Sequence, residues 1–283
     1  MTATLQPSAP APVAAQRPSN PVVSALGDGV VIAKRNVIKI KRVPELLVFT
    51  LLSPIMFILL FAYVFGSAIP IEGINYREFL VGGIFAQTVI FGATITGAGL
   101  AEDVQKGIMD RFRSLPMSRA AVLFGRTASD VIINVITLVI MALTGLAVGW
   151  RIREGLLKAL LGFAIILLFA YAISWVMAWI GLLVPSPEVV NNASFMFIFP
   201  ATFIANTFVP TDGFPSALRF VANWNPVSSV TQAGREYFGN TGLPVPDVWA
   251  LQHPVAYTLI WTVLILLVFV PLSVRQFKVA ASR

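Results

Sequence analysis

Six stretches of about 20 largely apolar residues, near 46–68, 79–101, 131–150, 159–183, 193–211 and 255–274, govern what this chain can fold into. A helix needs ~20 such residues to cross a ~30 Å hydrocarbon layer. Inside that layer only helices and closed barrels pair every backbone N–H and C=O. Stretches of this length therefore read as an all-α, polytopic membrane protein with six transmembrane helices. Composition agrees: 57% of the 283 residues are hydrophobic and 12% charged, against ~25% charged in a soluble domain, and the mean hydropathy is +0.82. Pro54, Pro200 and Pro271 fall inside or near the ends of three stretches, where neighbouring helices can satisfy the freed carbonyls.

The basic residues set the orientation. Fourteen of the 20 Lys and Arg collect on one side: Arg17, Lys34, Arg35, Lys39, Lys41 and Arg42; Lys106, Arg111, Arg113, Arg119 and Arg126; Arg275, Lys278 and Arg283. The other side holds Arg77, Arg151, Arg153, Lys158, Arg219 and Arg235. Both termini are expected in the cytoplasm by the positive-inside rule. The net charge of +7 is thereby topogenic, and nucleic acid is not an expected partner. Residues 1–25, rich in Ala, Pro and Ser, read as a disordered cytoplasmic tail. From Leu26 to Val43, Val30, Ile32, Ala33, Val37 and Ile40 oppose Lys34, Arg35, Lys39, Lys41 and Arg42, the pattern of an amphipathic N-terminal interface helix among lipid headgroups.

Several chemistries are excluded. With no cysteine and only His253, no thiolate or histidine metal cluster can form. The stretches as bounded contain no Asp, Glu, Lys, Arg or His apart from end positions such as Glu45 and Glu102, which leaves an intramembrane enzyme without catalytic groups and a proton antiporter without a carrier. No G-x-x-x-x-G-K-[ST] run is present, so phosphates of a nucleotide are not cradled by a P-loop here. The polar residues within the stretches, Gln87, Thr88, Thr94, Thr96, Asn134, Thr137 and Ser174, are uncharged. Ala93, Gly97 and Ala101, and separately Gly145 and Gly149, form small-residue faces for close helix packing, within the chain or with a second copy.

The loop Glu102 to Asp130 is the most informative soluble segment. Val104, Ile108, Phe112 and Leu115 share one helical face, Asp103, Lys106, Asp110, Arg111 and Arg113 lie elsewhere, and Pro116 ends the helix. Such a ridge suits docking into a groove on a cytoplasmic partner or resting on the membrane. Phe195, Phe199 and Phe203 form an i, i+4, i+8 stripe flanked by Asn191, Asn192 and Asn206. That stripe serves either to stack a planar aromatic substrate or to pack helices and meet lipid.

The stretch KIKRVPE before a Pro-containing first span, the loop with Gly107, Asp110, Arg111, Phe112, Arg113, Ser114 and Pro116, and NWNPVS from Asn223 to Ser228 together resemble the ABC type-2 transporter permeases, in particular the membrane subunit of daunorubicin/doxorubicin-resistance exporters. The resemblance runs from about Leu26 to Phe277 and makes 26–283 one transmembrane domain. It implies a permease subunit of an ATP-binding cassette exporter in a bacterial plasma membrane, pairing with a second permease copy or a related permease. It has no cofactor of its own; a separate cytoplasmic ABC ATPase subunit binds ATP and Mg. By carry-over, Glu102, Asp103, Gly107, Arg111, Phe112, Arg113 and Pro116 become the ATPase coupling residues. Short re-entrant helices before the last span would close the path outside, so Trp224, Asn225 and Pro226 become the extracellular gate, the alternative being a loop with interfacial anchors. Phe195, Phe199 and Phe203 remain candidates for the substrate path. The expected cargo is an amphiphilic, antibiotic or drug-like compound. Export of a lipid or lipid-linked oligosaccharide by the same mechanism, and an ATP-independent channel or scramblase, are the alternatives.

Overall fold

The computed structural model describes residues 44–66, 73–108 and 119–280. The tail 1–25, the basic segment 26–43 and the coupling candidates Arg111, Phe112, Arg113 and Pro116 lie outside the described residues. Within them the chain is helical and has no strand. Helix α1 (Pro44–Leu60) continues through one π turn, Phe61–Phe65. It is followed by α2 (Tyr76–Gln105), α3 (Arg119–Val148), α4 (Leu156–Leu183), α5 (Pro187–Phe203), α6 (Ser216–Asn223), α7 (Pro226–Phe238), α8 (Trp249–Gln252) and α9 (Pro254–Ala280).

Among the described residues four helices are long and apolar enough to cross a membrane: Tyr76–Gln105, Leu123–Val148, Leu156–Leu183 and Pro254–Phe277. The remaining two expected spans coincide with shorter helices, α1 with its π turn and the 17-residue α5. Helix α5 begins at Pro187, ahead of the expected 193, and stops at Phe203. Residues 204–210 form turns because their polar groups are engaged elsewhere: Asn206 N–H donates to Ser228 Oγ at 3.0 Å, and the Asn206 and Thr207 carbonyls accept from Arg235.

The expectation that no ionisable side chain falls within the spans needs correction. Helix α3 carries its apolar segment back to Leu123, which takes in Arg126 and Asp130, where hydropathy alone had begun the span at 131. Both side chains are accommodated against α2. The Thr96 hydroxyl donates to the buried Asp130 carboxylate, and Arg126 Nη2 donates to the Ile95 carbonyl at 3.2 Å. A Cβ on Gly99 would overlap the Arg126 guanidinium, so that glycine is the slot the cation occupies.

Helix α2 is the hub, packed against α4, α5, α3 and α7; 72% of its apolar window is buried, compared with 17% for α9. Its small-residue face meets α4 of the same chain. A Cβ on Gly97 would lie 2.6 Å from the Met177 carbonyl oxygen, and one on Gly181 would overlap the Gly97 carbonyl, so the two backbones touch. On α3 only Gly145 serves packing, against Val81 and Trp150. Gly149 has φ +107° and ends the helix. An aromatic box closes the end of the bundle opposite Lys106: Phe85, Trp150 and Phe238 meet edge to face at 5.2 to 5.9 Å, with Phe163 4.8 Å from Phe238. Buried edge-to-face rings add ~0.5–1.5 kcal/mol per pair beyond their burial, which ties α2, α4 and α7 to the end of α3.

Candidate functional site

Helices α1, α2, α3 and α5 surround a cavity of about 270 Å³. One wall is aromatic. Phe195 stacks on Phe199 at 5.4 Å and Phe199 on Phe203 at 4.0 Å, while Phe91 meets Phe195 edge-on at 5.8 Å. The ladder continues through Phe208, 4.7 Å from Phe203, to Phe61, again at 4.7 Å, and on to Phe57 at 5.9 Å. The facing wall carries Gln87, Thr88, Asn134 and Thr137, of which Gln87, Asn134 and Thr137 are buried. The i, i+4, i+8 stripe is thus part of a cavity lining, and Phe195 remains 61% exposed, well short of a core side chain. The amides opposite it, read from sequence as interhelical bonding groups, share the cavity because α2 and α3 turn the same faces toward α5. An aromatic wall facing carboxamides and hydroxyls can stack a planar apolar body and hydrogen-bond its polar substituents.

The end of the bundle that carries Trp150 and Phe238 is capped by α6 and α7, two short helices joined at Trp224–Asn225–Pro226. Asn225 caps α7 by accepting from Val227 N–H, and Pro226 occupies the first helical turn, where its missing N–H costs nothing. The Asn225 Nδ2 donates to the Ala201 carbonyl of α5 at 2.6 Å, and the Tyr257 hydroxyl of α9 donates to the Trp224 carbonyl at 2.9 Å. The three gate candidates therefore form one joint bonded to two long elements.

Sequence reasoning counted Arg235 merely among the outer cations. In the structure it is the largest buried polar side chain. Its Nε donates to the Phe79 carbonyl (2.9 Å), its Nη2 to the Asn206 and Thr207 carbonyls (2.9 and 3.1 Å), and the guanidinium lies 3.6 Å over the Phe79 ring. A helical projection could have found it, since Val227, Thr231 and Arg235 recur at i, i+4, i+8 on the inward face of α7. Nearby, Arg153 grips the buried Glu78 carboxylate through both oxygens at 2.7 and 2.9 Å, and Asn240 joins Trp150 Nε1 (2.6 Å) to the Arg151 carbonyl (2.9 Å).

At the opposite end, Glu102, Asp103 and Gly107 are the described members of the coupling set. Glu102 pairs with Lys106 at 2.5 Å, and that hydrogen bond holds the Lys106 ammonium above its ordinary pKa. Asp103 is buried. Gly107 has φ +64° and its N–H returns to the Val104 carbonyl, so its glycine character serves the turn that ends α2.

Residues 29–238 match the family model described as ABC-2 type transporter, a range that reaches from ahead of α1 to the last residue of α7 and so includes the cavity and the external cap. The chain is 30% identical over 244 residues to a daunorubicin resistance ABC transporter permease protein of Streptomyces coeruleorubidus, spanning 86% of this chain and 83% of that protein. It is 27% identical over 224 residues, 78% of each chain, to a probable doxorubicin resistance ABC transporter permease protein of Mycobacterium tuberculosis. A putative transport permease, ycf38, of Cyanophora paradoxa is 26% identical over 70% of this chain and 69% of its own length.

Proposed function

Because the chain belongs to the ABC-2 type transporter family, we propose that it is the membrane-spanning permease subunit of an exporter that moves an amphiphilic, drug-like compound out of the cell. The observation that carries the cargo class is the two-faced cavity, with stacked Phe195, Phe199 and Phe203 on one side and Gln87, Thr88, Asn134 and Thr137 on the other. At about 270 Å³ it falls just below the ~300–1,000 Å³ of pockets that enclose drug-sized ligands. One chain thus holds part of the cargo, and a second permease supplies the rest of the path. In this reading α1 and α5 are short crossings that complete six spans, and both termini are cytoplasmic.

Energy enters from a cytoplasmic ATPase that binds ATP and Mg. The segment after α2 docks into that subunit, with Phe112 as apolar anchor, Arg111 and Arg113 as charged flanks, Pro116 as helix stop, and Glu102, Asp103 and Gly107 at its root. Closure of the ATPases pushes on α2 and re-orients the spans as rigid bodies. The joint at Trp224, Asn225 and Pro226 opens the outer end when α5 and α9 separate. Affinity purification from native membranes in mild detergent, followed by mass spectrometry, tests the assignment. A nucleotide-binding ATPase is expected in stoichiometric yield and is lost when Arg111 and Arg113 are both reversed to Glu. Recovery of a folded permease alone, with ATP-independent flux in vesicles, sinks it.

A further inference from the structure

Three polar side chains on one face of α3, Arg126, Asp130 and Asn134 at i, i+4, i+8, meet α2 at successive turns. Arg126 sits in the slot that Gly99 leaves open and donates to the Ile95 carbonyl at 3.2 Å. The Thr96 hydroxyl donates to Asp130. A Cβ on Gly92 would lie 2.6 Å from Asn134 Oδ1. The contacts count down one helix as they count up the other, as between antiparallel neighbours, so Arg126 lies toward the Lys106 end and Asn134 in the wall of the cavity.

Apolar packing would hold these two helices together at less cost. A carboxylate and a guanidinium carried into an apolar segment are expensive, and apolar side chains of the same volume are often as stable in their place. A cation three residues from the start of that segment can ordinarily snorkel to the headgroups. Arg126 turns instead to Ile95 and Gly99, with its Nε buried and unpartnered. What polar contacts add to apolar ones is a fixed register. A slip of one turn, ~5.4 Å, takes Asn134 off Gly92 and onto the Cβ of Thr88 or Thr96. It takes Arg126 off Gly99 onto that of Ile95 or Asp103, and it parts Asp130 from its hydroxyl.

We infer that Arg126 and Asp130 are positioning residues that lock α3 to α2, so that the two halves of the cavity's polar wall, Gln87 with Thr88 and Asn134 with Thr137, keep one register while the spans move. The inference rests on the proposed transport function. Force from the ATPase enters at the connection between α2 and α3, where two unlocked helices would answer by slipping past one another. The interlock turns that force into displacement of the wall as a whole. The amides of the wall are thereby held in place by two residues that do not themselves line the cavity.

The chain contains no cysteine, so pairs of spin labels can be introduced cleanly and their separations read by double electron–electron resonance. Val139→Cys on α3 with Leu160→Cys on α4 reports register, since α4 touches α2 backbone to backbone. Met56→Cys on α1 with Leu160→Cys reports motion of the spans. All three sites are exposed. The full-length permease is measured in complex with its ATPase, with unlabelled permease in excess, both without nucleotide and trapped with ATP and vanadate. The register pair is expected to give one distance in both states, and the α1 pair to shift. Arg126→Met combined with Asp130→Leu is expected to melt no lower than the parent, yet to show a second register population displaced by up to the ~5.4 Å rise of one turn. Asp130→Asn keeps an acceptor for Thr96 and is expected to give the single distance. A double variant that retains the single distance reduces the interlock to packing and overturns the assignment, as does a parent whose register pair shifts with nucleotide. Should the double variant fail to fold, Thr96→Val is read in the same way. If nucleotide leaves the α1 pair unmoved, the transport reading falls, and the register pair of the nucleotide-free variants still decides the interlock.

Discussion

The two hollows differ in the feature that decides what each can hold. The larger one, among α1, α2, α3 and α5, has an aromatic wall that is partly exposed, and its buried polar groups are neutral amides and hydroxyls. The smaller one, of about 40 Å³ beside α7, has an exposed rim but contains a fully buried cation, Arg235, committed to three carbonyls. A wall of exposed rings offers weak contacts. A buried cation committed to backbone carbonyls gives an interaction that is costly to break. An open aromatic wall and a structural clamp are therefore distinguished by desolvation more than by size.

The sharpest way to break that distinction is to remove the clamp. Arg235→Leu leaves the Phe79, Asn206 and Thr207 carbonyls without their donor, and unfolding is expected to become easier by about 3–5 kcal/mol, seen as loss of monodisperse protein in detergent and a collapsed melting temperature. Gly181→Val comes next. Its new Cβ meets the Gly97 carbonyl, which cannot move without separating two helices, and overpacking of this kind costs about 1–3 kcal/mol; the melting temperature should fall by less than in Arg235→Leu.

Phe199→Ala should reverse the pattern. With Phe199 38% exposed, stability is expected to drop by only about 1 kcal/mol, while loss of a stacking face raises the KM for export of a planar amphiphile roughly tenfold, equivalent to ~1.4 kcal/mol of binding, measured in inverted vesicles. If Phe199→Ala unfolds the protein as readily as Arg235→Leu, the large hollow is core and the contrast fails. The smallest effect concerns Glu236 on α7, half-buried and held above the ordinary carboxylate value of 4.5 by desolvation. A raised folded value means the native state holds its proton longer, so stability declines as pH rises from about 4.5 through the folded value and is flat above it. Glu236→Gln should remove that slope in melting curves taken between pH 4 and 7.

Long-range order of this fold was legible wherever a run was uniformly apolar. Leu156–Leu183 and Pro254–Phe277 lie close to the expected 159–183 and 255–274, because nothing in them competes with the helix. Legibility failed where polar atoms found partners far along the chain. Arg126 and Asp130 looked like loop residues because Thr96, Ile95 and the slot at Gly99, 27 or more residues away, are invisible to a hydropathy window. Asn206 and Thr207 looked like the end of a span, yet their backbone groups belong to α7. The aromatic stripe was legible by its period, but the ring ladder through Phe208, Phe61 and Phe57 was not, since it jumps between three segments. Trp224, Asn225 and Pro226 were singled out by motif alone; the cap that Asn225 places on α7 became visible only in the structure.

The contact of Gly97 with Gly181 has a kinematic consequence. Two helices touching main chain to main chain have no side-chain layer to shear, so α2 and α4 translate and tilt as one beam. A displacement delivered at Lys106 reaches Trp150 and Phe238, at the far end, without loss to internal sliding. Compliance must then reside where helices meet through fewer contacts, along α1 with its π turn. The cavity lies along that compliant seam, so a stroke of the beam changes its width directly.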